Sequence, residues 1–320
     1  MKEKILIAGG SGFIGTNILK KINKSKFKVF ATKYKNKNNH NVNKVKYFSG
    51  DIRKMSFCKK VTKSMDTVVM CAAVSSGSMI IQNNPMYHVD DNIIMNLNIL
   101  KACSINNVKK FVFISSNTVY PVGKKAMREN DVNYTLFKKY FNVGWMKIFS
   151  EKLCEMYKDK MNILIVRPGN IYGPYDKYDR TRSKVIAAFI TKFEKRKSIE
   201  IWGDGKDVKD FIFVDDFVNA LLKLIPKIYG FKIFNIASGK SISLKKIINF
   251  LKKKYRIKDE EIRFNLTKPT MIPVRRISIE KIKRFIKFRP YFSIEKGISK
   301  TIEWYKKNYV LNENKRKNRY

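Results

Sequence analysis

The chain has few acidic residues and very few histidines. Aspartate and glutamate number 26 against 68 lysines and arginines, and there are 2 histidines in 320 residues, so the formal net charge is +42. Such a charge is typical of nucleic-acid-binding proteins. Here, however, the lysines are spread over every segment, and no RRM, KH, helix-turn-helix or zinc-finger pattern is present. We therefore expect a solvated, lysine-rich surface and no nucleic-acid partner.

Cysteine is also scarce, and its spacing excludes two kinds of site. The four cysteines are far apart, at positions 58, 71, 103 and 154, in neither a C-x-x-C nor a zinc-binding spacing. No apolar run approaches the roughly 20 residues of a membrane-spanning helix, and no signal peptide is recognisable. These absences predict a cytoplasmic protein without a metal site or membrane insertion.

The N-terminal segment carries the clearest motif. Residues 5–8 are an apolar run typical of a buried strand, and a helical pattern with apolar Phe13 and Ile14 begins soon after it. Between them lie three glycines at G-x-x-G-x-x-G spacing: Gly9, Gly12 and Gly15. Strand, glycine turn and helix together form the context that binds a dinucleotide pyrophosphate, because backbone can approach phosphate at the helix N-terminus. A plain glycine-rich turn is the alternative.

Strand and helix patterns alternate through the first half of the chain. Strands are predicted at residues 29–32, 45–48, 67–71, 111–115 and 163–166, and helices at 88–103 and 144–158. This alternation predicts an α/β fold with a doubly wound parallel (Rossmann) sheet. The less regular second half predicts a smaller mixed α/β lobe, with helices at 185–195, 215–224 and 244–255 and strands at 199–202, 211–213 and 232–236. We expect a dinucleotide-binding domain over 1–168, a substrate lobe over 169–310, with the chain crossing between them, and a basic tail over 311–320.

Small or polar residues follow several predicted strands, at the edge where doubly wound sheets bind ligands. Asp51 and Ile52 follow the third strand and are expected to border the adenine. Ala72 and Ala73 follow the fourth strand, where backbone passes close to a cofactor. Residues 115–118 end the fifth strand with hydroxyl groups, for which an ordinary Ser/Thr turn is the alternative interpretation.

The end of the second strand bears on the choice of cofactor. Enzymes that bind NAD usually place an acidic residue there for the ribose 2′-hydroxyl, and this chain has none. Lys33 stands there instead and suits a 2′-phosphate. We therefore favour NADP(H) over NAD(H). The alternative is that Lys33 is one more surface lysine in a lysine-rich chain.

Several further motifs occur in a fixed order and carry a family resemblance. After the glycine loop come Gly50-Asp51-Ile52, Ala72-Ala73, Ser115-Ser116-Asn117-Thr118-Val119-Tyr120, Arg167-Pro168-Gly169-Asn170-Ile171-Tyr172-Gly173-Pro174, Trp202-Gly203-Asp204-Gly205 and Asp210-Phe211-Ile212-Phe213-Val214-Asp215-Asp216. Over residues 3–308 the chain resembles extended short-chain dehydrogenase/reductases of the nucleotide-sugar epimerase/dehydratase type. Within that family it is most similar to GDP-L-fucose synthases.

The resemblance implies a reaction and the residues that perform it. It implies hydride transfer at C4 of a sugar nucleotide, a GDP-sugar first, in surface-polysaccharide synthesis by a homodimer. Ser116 takes the catalytic serine position, and Thr118 stands where GDP-L-fucose synthases have a cysteine. Phe13, Ile14, Lys147 and Pro168 join the cofactor site. The implied substrate contacts are Ser116, Asn117, Asn170, Lys184, Val185, Trp202, Lys209 and Arg275.

The chain departs from the family at the catalytic base. The family uses Tyr-x-x-x-Lys, but four residues before Lys147 stands Val143, which cannot transfer a proton. Three explanations remain open: another tyrosine, Tyr140 or the Tyr134-x-x-x-Lys138 pair, acts instead; water or Lys147 relays the proton; or the protein only binds or regulates. Thr118 and Lys184 replace a cysteine–histidine pair and do not suit double epimerisation at C3 and C5.

Overall fold

The structure, a computed structural model, describes residues 1–34, 42–179, 182–196, 199–268 and 270–310. The predicted basic tail, 311–320, lies outside the described residues. In chain order the strands are β1 (Glu3–Ala8), β2 (Phe27–Lys33), β3 (Val45–Ser49), β4 (Thr67–Met70), β5 (Lys110–Ile114), β6 (Ala126–Met127), β7 (Asn162–Pro168), β8 (Asn170–Tyr172), β9 (Ile199–Trp202), β10 (Val208–Phe213), β11 (Phe231–Ile236), β12 (Ser241–Ser243), β13 (Ile262–Asn265) and β14 (Val274–Ile277).

Helices connect most of these strands. They are α1 (Phe13–Lys21), α2 (Met55–Thr62), α3 (Ser78–Asn83), α4 (Val89–Ile105), α5 (Phe141–Met156), α6 (Val185–Lys195), α7 (Val214–Leu224), α8 (Leu244–Tyr255), α9 (Glu280–Ile286) and α10 (Ile294–Tyr305). A short 3₁₀ turn, Lys138–Tyr140, leads directly into α5. In the described ranges, no helix is both long and apolar enough to cross a bilayer.

The large sheet confirms the predicted doubly wound parallel fold. Its strand order is β3-β2-β1-β4-β5-β7-β11, and every pairing is parallel. Residues 5–8 of β1 are all buried, as expected for a strand that helices cover on both faces. The chain order reverses between β1 and β4. Ligands of such sheets bind in the crevice that opens there, at the carboxyl ends of the strands.

One strand lies in a different sheet from the one predicted. The sequence assigns residues 232–236 to the smaller lobe, whereas β11 pairs with β7 and forms an edge of the large sheet. The physical reason is α7, which packs against α1 and buries Phe217 and Leu221 in the large sheet's core. The chain therefore returns to the large sheet after residue 168, and the predicted boundary does not separate two sheets.

The smaller lobe is built from short strands and two packed helices. Its strands run β12-β10-β14-β6, with β8 beside β10, and a separate β13-β9 pair. Helices α6 and α8 pack on each other and share a core with Phe193, Ile201 and Leu251. This lobe faces the carboxyl edge of the large sheet through β8, which follows β7 after one residue.

Candidate active site

The glycine loop joins the ends of two strands at the point where the sheet order reverses. Gly9 has φ +86°, and a Cβ there would lie 2.6 Å from the backbone of Ala72, just after β4. A Cβ on Gly15 would lie 2.3 Å from the Gly9 carbonyl oxygen. Gly12 precedes α1, and no side chain caps that helix. Its first N–H groups are therefore available to an anion such as a pyrophosphate, which fits a dinucleotide cofactor.

Substituting Gly9 tests this cradle. Alanine at φ +86° is strained by about 1–2 kcal/mol, and its Cβ would displace the Ala72 backbone. We expect Gly9→Ala to weaken dinucleotide binding at least tenfold by calorimetry. Gly230→Ala is the matched control, because Gly230 also has positive φ but nothing within 4 Å of the added Cβ. Equal dinucleotide affinity in both variants would contradict this account of the loop.

The first turn of α1 carries two of the predicted cofactor residues. Phe13 and Ile14 are partly buried against the large sheet's core. The Lys184 ammonium lies 5.9 Å from the centre of the Phe13 ring, so the smaller lobe reaches over the glycine loop. Val185 begins α6 and packs on the core of the smaller lobe.

Charged side chains of both signs lie at the ends of β2 and β3. Asp51 is bound by Arg53, whose Nη2 is 2.7 Å from Oδ2, and this contact lowers the pKa of Asp51. Arg53 also donates to the Tyr34 hydroxyl at 3.2 Å. Ile52 is buried beneath them, and the Lys33 ammonium lies 5.7 Å from the centre of the Tyr47 ring. Arg53 was not predicted as a site residue, although its position two residues after Asp51 in the sequence could have indicated this ion pair.

Three of the predicted catalytic residues meet at the carboxyl end of β5. Ser116 Oγ accepts hydrogen bonds from the Thr118 amide at 3.1 Å and from its hydroxyl at 3.0 Å. Lys147 Nζ donates to the Ile114 carbonyl at 2.9 Å. Burial lowers the pKa of Lys147 to about 8, while Glu151 acts in the opposite direction. Val143 stands one helical turn before Lys147 on α5, so the phenol is missing from the helix that would carry it.

The two tyrosines considered as substitutes lie outside α5. Tyr140 ends the 3₁₀ turn before the helix, and burial, with Asp207 adding to it, raises its pKa to about 12. A phenol with a raised pKa holds its proton and is a poor base. Tyr134 is 48% exposed and stacks on Trp145 at 5.8 Å between ring centroids. The Tyr134–Lys138 alternative therefore lacks the helical turn that the dyad requires.

A network of buried polar side chains adjoins Ser116 and Lys147. Glu151 accepts from Ser115 Oγ and from both Nε and Nη2 of Arg167, at 2.9 and 2.6 Å. Arg167 Nη1 donates to the Tyr120 hydroxyl at 3.2 Å, which donates in turn to Asn235 at 2.6 Å. All five residues are buried. The network ties α5 to β5, β7 and β11 and so sets the position of Lys147 relative to Ser116.

Several predicted substrate and cofactor residues bond to backbone carbonyls. Asn117 donates to the carbonyl of Pro168 at 2.9 Å, and Asn170 donates to that of Asp210 at 3.0 Å. Ala73 is exposed. Trp202 is the last residue of β9, and the Lys192 ammonium lies 5.4 Å from the centre of its ring. The Asn117 contact joins the residues after β5 to the carboxyl end of β7, and the Asn170 contact joins β8 to the middle of β10.

Two cations predicted as substrate contacts, Lys209 and Arg275, already have hydrogen-bond partners inside the protein. Lys209 Nζ donates to Asp207 at 2.9 Å and to the Ile272 carbonyl at 2.7 Å. Arg275 is 2% exposed, and its Nη groups donate to the carbonyls of Pro121 and Tyr120 at 2.6 and 2.9 Å. Burial lowers the pKa of Arg275 to about 10. Both cations thus bond to oxygens of the protein itself, and their contact with the substrate stays a prediction.

Comparison with known proteins identifies the family. Residues 5–237 match the model of the NAD dependent epimerase/dehydratase family. The chain belongs to that family. Its members bind an NAD(P) cofactor, which fits the glycine loop described above, and modify nucleotide sugars.

The names of the similar proteins contain sugars linked to different nucleotides. A dTDP-4-dehydro-6-deoxy-D-allose reductase from a Streptomyces species is 26% identical, covering 94% of this chain and 96% of the relative. GDP-mannose 3,5-epimerase 1 of Oryza sativa subsp. indica is 29% identical, covering 95% and 82%. GDP-L-fucose synthase of Sinorhizobium fredii is 28% identical, covering 77% and 80%. The solved structure of Thermotoga maritima UDP-glucose 4-epimerase has the same fold, with TM-score 0.84 at 23% identity, covering 95% and 99%.

Proposed function

We propose that this protein is an oxidoreductase or epimerase that transfers hydride between C4 of a nucleotide-bound sugar and a nicotinamide cofactor. The observation that carries the proposal is the position of Ser116 and Lys147 at the end of β5, two strands from the glycine loop of β1. The Ser116 hydroxyl would bond the sugar oxygen, and the Lys147 ammonium would hold the nicotinamide ribose. The cofactor, when bound, supplies the hydride acceptor or donor.

A GDP-sugar is our first candidate substrate, used in surface-polysaccharide synthesis in the cytoplasm. Two of the relatives above have GDP-sugars in their names, a GDP-mannose 3,5-epimerase and a GDP-L-fucose synthase. The four cysteines are free thiols, which suits a reducing compartment such as the cytoplasm. The dTDP and UDP relatives make the nucleotide a choice that an experiment must decide.

A panel of substrates tests the reaction class. The protein is incubated with NAD⁺ or NADP⁺ and with GDP-, UDP- and dTDP-sugars, while nicotinamide absorbance and hydrogen–deuterium exchange at C4 are followed. We expect reduced cofactor or C4 exchange with at least one sugar nucleotide. Binding of both ligands without either signal would favour the second candidate, a non-catalytic nucleotide-sugar binder or regulatory homologue, which Val143 supports.

Preference for NADP(H) over NAD(H) rests on Lys33, a cation at the end of β2. Arg53 is paired with both Asp51 and Asp91, so it neutralises the Asp51 carboxylate and adds no net positive charge. Removing one charge-assisted contact costs about 1.5–3 kcal/mol, so Lys33→Ala should weaken NADP⁺ binding about 10–100-fold and NAD⁺ binding much less. Lys28→Ala, at an exposed position of the same strand, is the control. A wild type that binds NAD⁺ more tightly than NADP⁺ would overturn the preference.

A homodimer is proposed through an apolar face of α4 and α5. The two helices pack together, yet both present large apolar side chains outwards: Ile94 and Leu97 at 43% and 38% exposure, and Phe141, Trp145 and Phe149 at 51%, 37% and 47%. The α5 residues recur every four positions and form one stripe. Contiguous apolar patches of this kind on a protein surface mark interaction sites.

Charge on this face should separate the subunits. We expect Phe149→Glu to shift the protein from dimer to monomer in light scattering coupled to size exclusion. Leu266→Glu is the control, because Leu266 is 73% exposed but lies outside the face. A wild type that is monomeric at micromolar concentration would contradict the proposed dimer.

A further inference from the structure

A serine–histidine pair lies in the segment that follows β4. His88, directly before α4, is 4% exposed, and its Nε2 lies 2.8 Å from Ser76 Oγ. His88 Nδ1 is buried without a hydrogen-bond partner. A buried polar atom without a hydrogen-bond partner lowers the stability of the fold. An apolar ring at this position would pack without that cost. The other histidine, His40, lies outside the described residues.

The surroundings of Ser76 place the pair at the cleft. Ala72 contacts the glycine loop, and Asn92 holds both the amide and the carbonyl of Val74, at 2.9 and 3.0 Å. From the smaller lobe, Lys177 Nζ reaches Ser75 Oγ and its carbonyl, both at 3.1 Å. Ser76 therefore directly follows a residue that contacts the smaller lobe, and it lies four residues after one that adjoins the glycine loop.

Electrostatic neighbours connect the pair to the residues at β5. The ammonium of Lys177 adds to burial in lowering the pKa of His88. Lys184 in turn contributes to the lowered pKa of both Lys177 and Lys147. One group of ionisable side chains thus extends from His88 through Lys177 and Lys184 to Lys147. Residues 74–77 add no ionisable group, the Tyr87 ring packs edge-on against His88 with 5.2 Å between ring centroids, and the nearest acids along α4 are Asp90 and Asp91 in its first turn.

We propose that Ser76 and His88 form the proton relay of this active site, in place of the phenol that is missing at Val143. The inference rests on the proposed function. On oxidation, the C4–H bond breaks and its electron pair leaves with the hydrogen as hydride to the oxidised nicotinamide. The O4–H proton passes to Ser76 Oγ as the Ser76 proton passes to His88 Nε2, which leaves a ketone, a neutral serine and an imidazolium. On reduction, the same protons return in the opposite order.

The relay requires one tautomer of the resting ring, with the proton on Nδ1 and a bare Nε2. Ser76 touches the sugar oxygen and is the catalytic residue of the pair, while His88 acts through it. Because the pKa of His88 is lowered, the ring is neutral at pH 7 and is able to accept the proton.

Three variants separate relay from structure. Glutamine at 88 keeps a polar atom near the Nε2 position for Ser76 but cannot accept a proton, and Ser76→Ala removes the intermediate hydroxyl. We expect both variants to bind cofactor as the wild type does, while single-turnover hydride transfer at saturating sugar nucleotide falls about 10²–10⁴-fold. Ser76→Thr, which keeps a hydroxyl, should lose less of the rate than Ser76→Ala. Ser78→Ala, at the start of α3, is the matched control.

Two readouts do not depend on loss of rate alone. In a His40→Gln background His88 is the only imidazole, so nitrogen NMR should report the Nδ1–H tautomer and a pKa below the ordinary value, with the tautomer balance altered by Ser76→Ala. In the wild type, kcat/KM for oxidation should fall as pH drops through that pKa, because the protonated ring cannot accept a proton. His88→Gln should lose this acid limb.

The outcomes distinguish the two proposals. An active wild type with an equally active His88→Gln overturns the relay and leaves the proposed function intact, as does an Nε2–H tautomer in the resting protein. Absence of hydride transfer by the wild type with every sugar nucleotide overturns the proposed function, and the relay with it.

Discussion

Replacing Lys147 by methionine is expected to lower the rate constant of hydride transfer about 10²–10⁴-fold in a protein that still folds. Methionine retains an unbranched apolar stem against Phe113, whose ring centre lies 4.8 Å from the ammonium, but it removes the charge and the donor to Ile114. Single-turnover measurement of nicotinamide reduction checks the rate, and circular dichroism checks the fold.

The pH profile adds a second test of Lys147. The free protein holds the pKa of Lys147 at about 8, and the charged form is the one that would hold the cofactor. Because kcat/KM reports groups of the free enzyme, it should decline as pH rises through about 8, and this limb should be absent in Lys147→Met. Lys152→Met, at an exposed position of the same helix, is the control. Wild-type rates in Lys147→Met would contradict the role of Lys147.

Glu151→Gln is expected to reduce the free energy of unfolding by about 3–5 kcal/mol, the usual result of removing one partner of a buried ion pair. The Glu151 carboxylate receives two hydrogen bonds from Arg167 and one from Ser115. Glutamine leaves the Arg167 guanidinium buried without a counter-charge. Denaturant titration measures the loss.

Two comparisons make this result specific to the network. Glu155→Gln, in an exposed pair with Lys152, should cost less than about 1 kcal/mol. Glu151→Leu combined with Arg167→Met removes both charges and should recover much of the stability. Since Glu151 raises the pKa of Lys147, the alkaline limb of Glu151→Gln should also move to lower pH. Equal stability of the Glu151 and Glu155 variants would contradict the network's role.

The large sheet and the glycine loop were predictable because their signals are local. A four-residue apolar run, glycines at fixed spacing and a following helical pattern all occur within residues 5–21. The position of β11 was not predictable in this way, since it depends on α7 docking against α1, roughly 200 residues away. The bounds of α6, β9 and α8 agree with the prediction to the residue.

The candidate site was harder to predict, because the state of a side chain depends on partners from elsewhere. Arg275 donates to carbonyls of Tyr120 and Pro121, which no spacing rule connects to it. The partner of Lys209, by contrast, is Asp207, two residues away, and the Asp-x-Lys spacing was a usable signal. His88 and Ser76 are separated by a loop and a short helix, so the pair becomes visible only in three dimensions.

The most direct test follows deuterium from C4 of the sugar. Sugar nucleotides labelled with deuterium at C4 are mixed with the protein and oxidised cofactor, the reaction is stopped with acid, and the nicotinamide is analysed by mass spectrometry. If this chain transfers hydride without the family's tyrosine, deuterium appears in the reduced nicotinamide with at least one sugar nucleotide. If both ligands bind and the label stays at C4 in every case, the protein does not perform this chemistry.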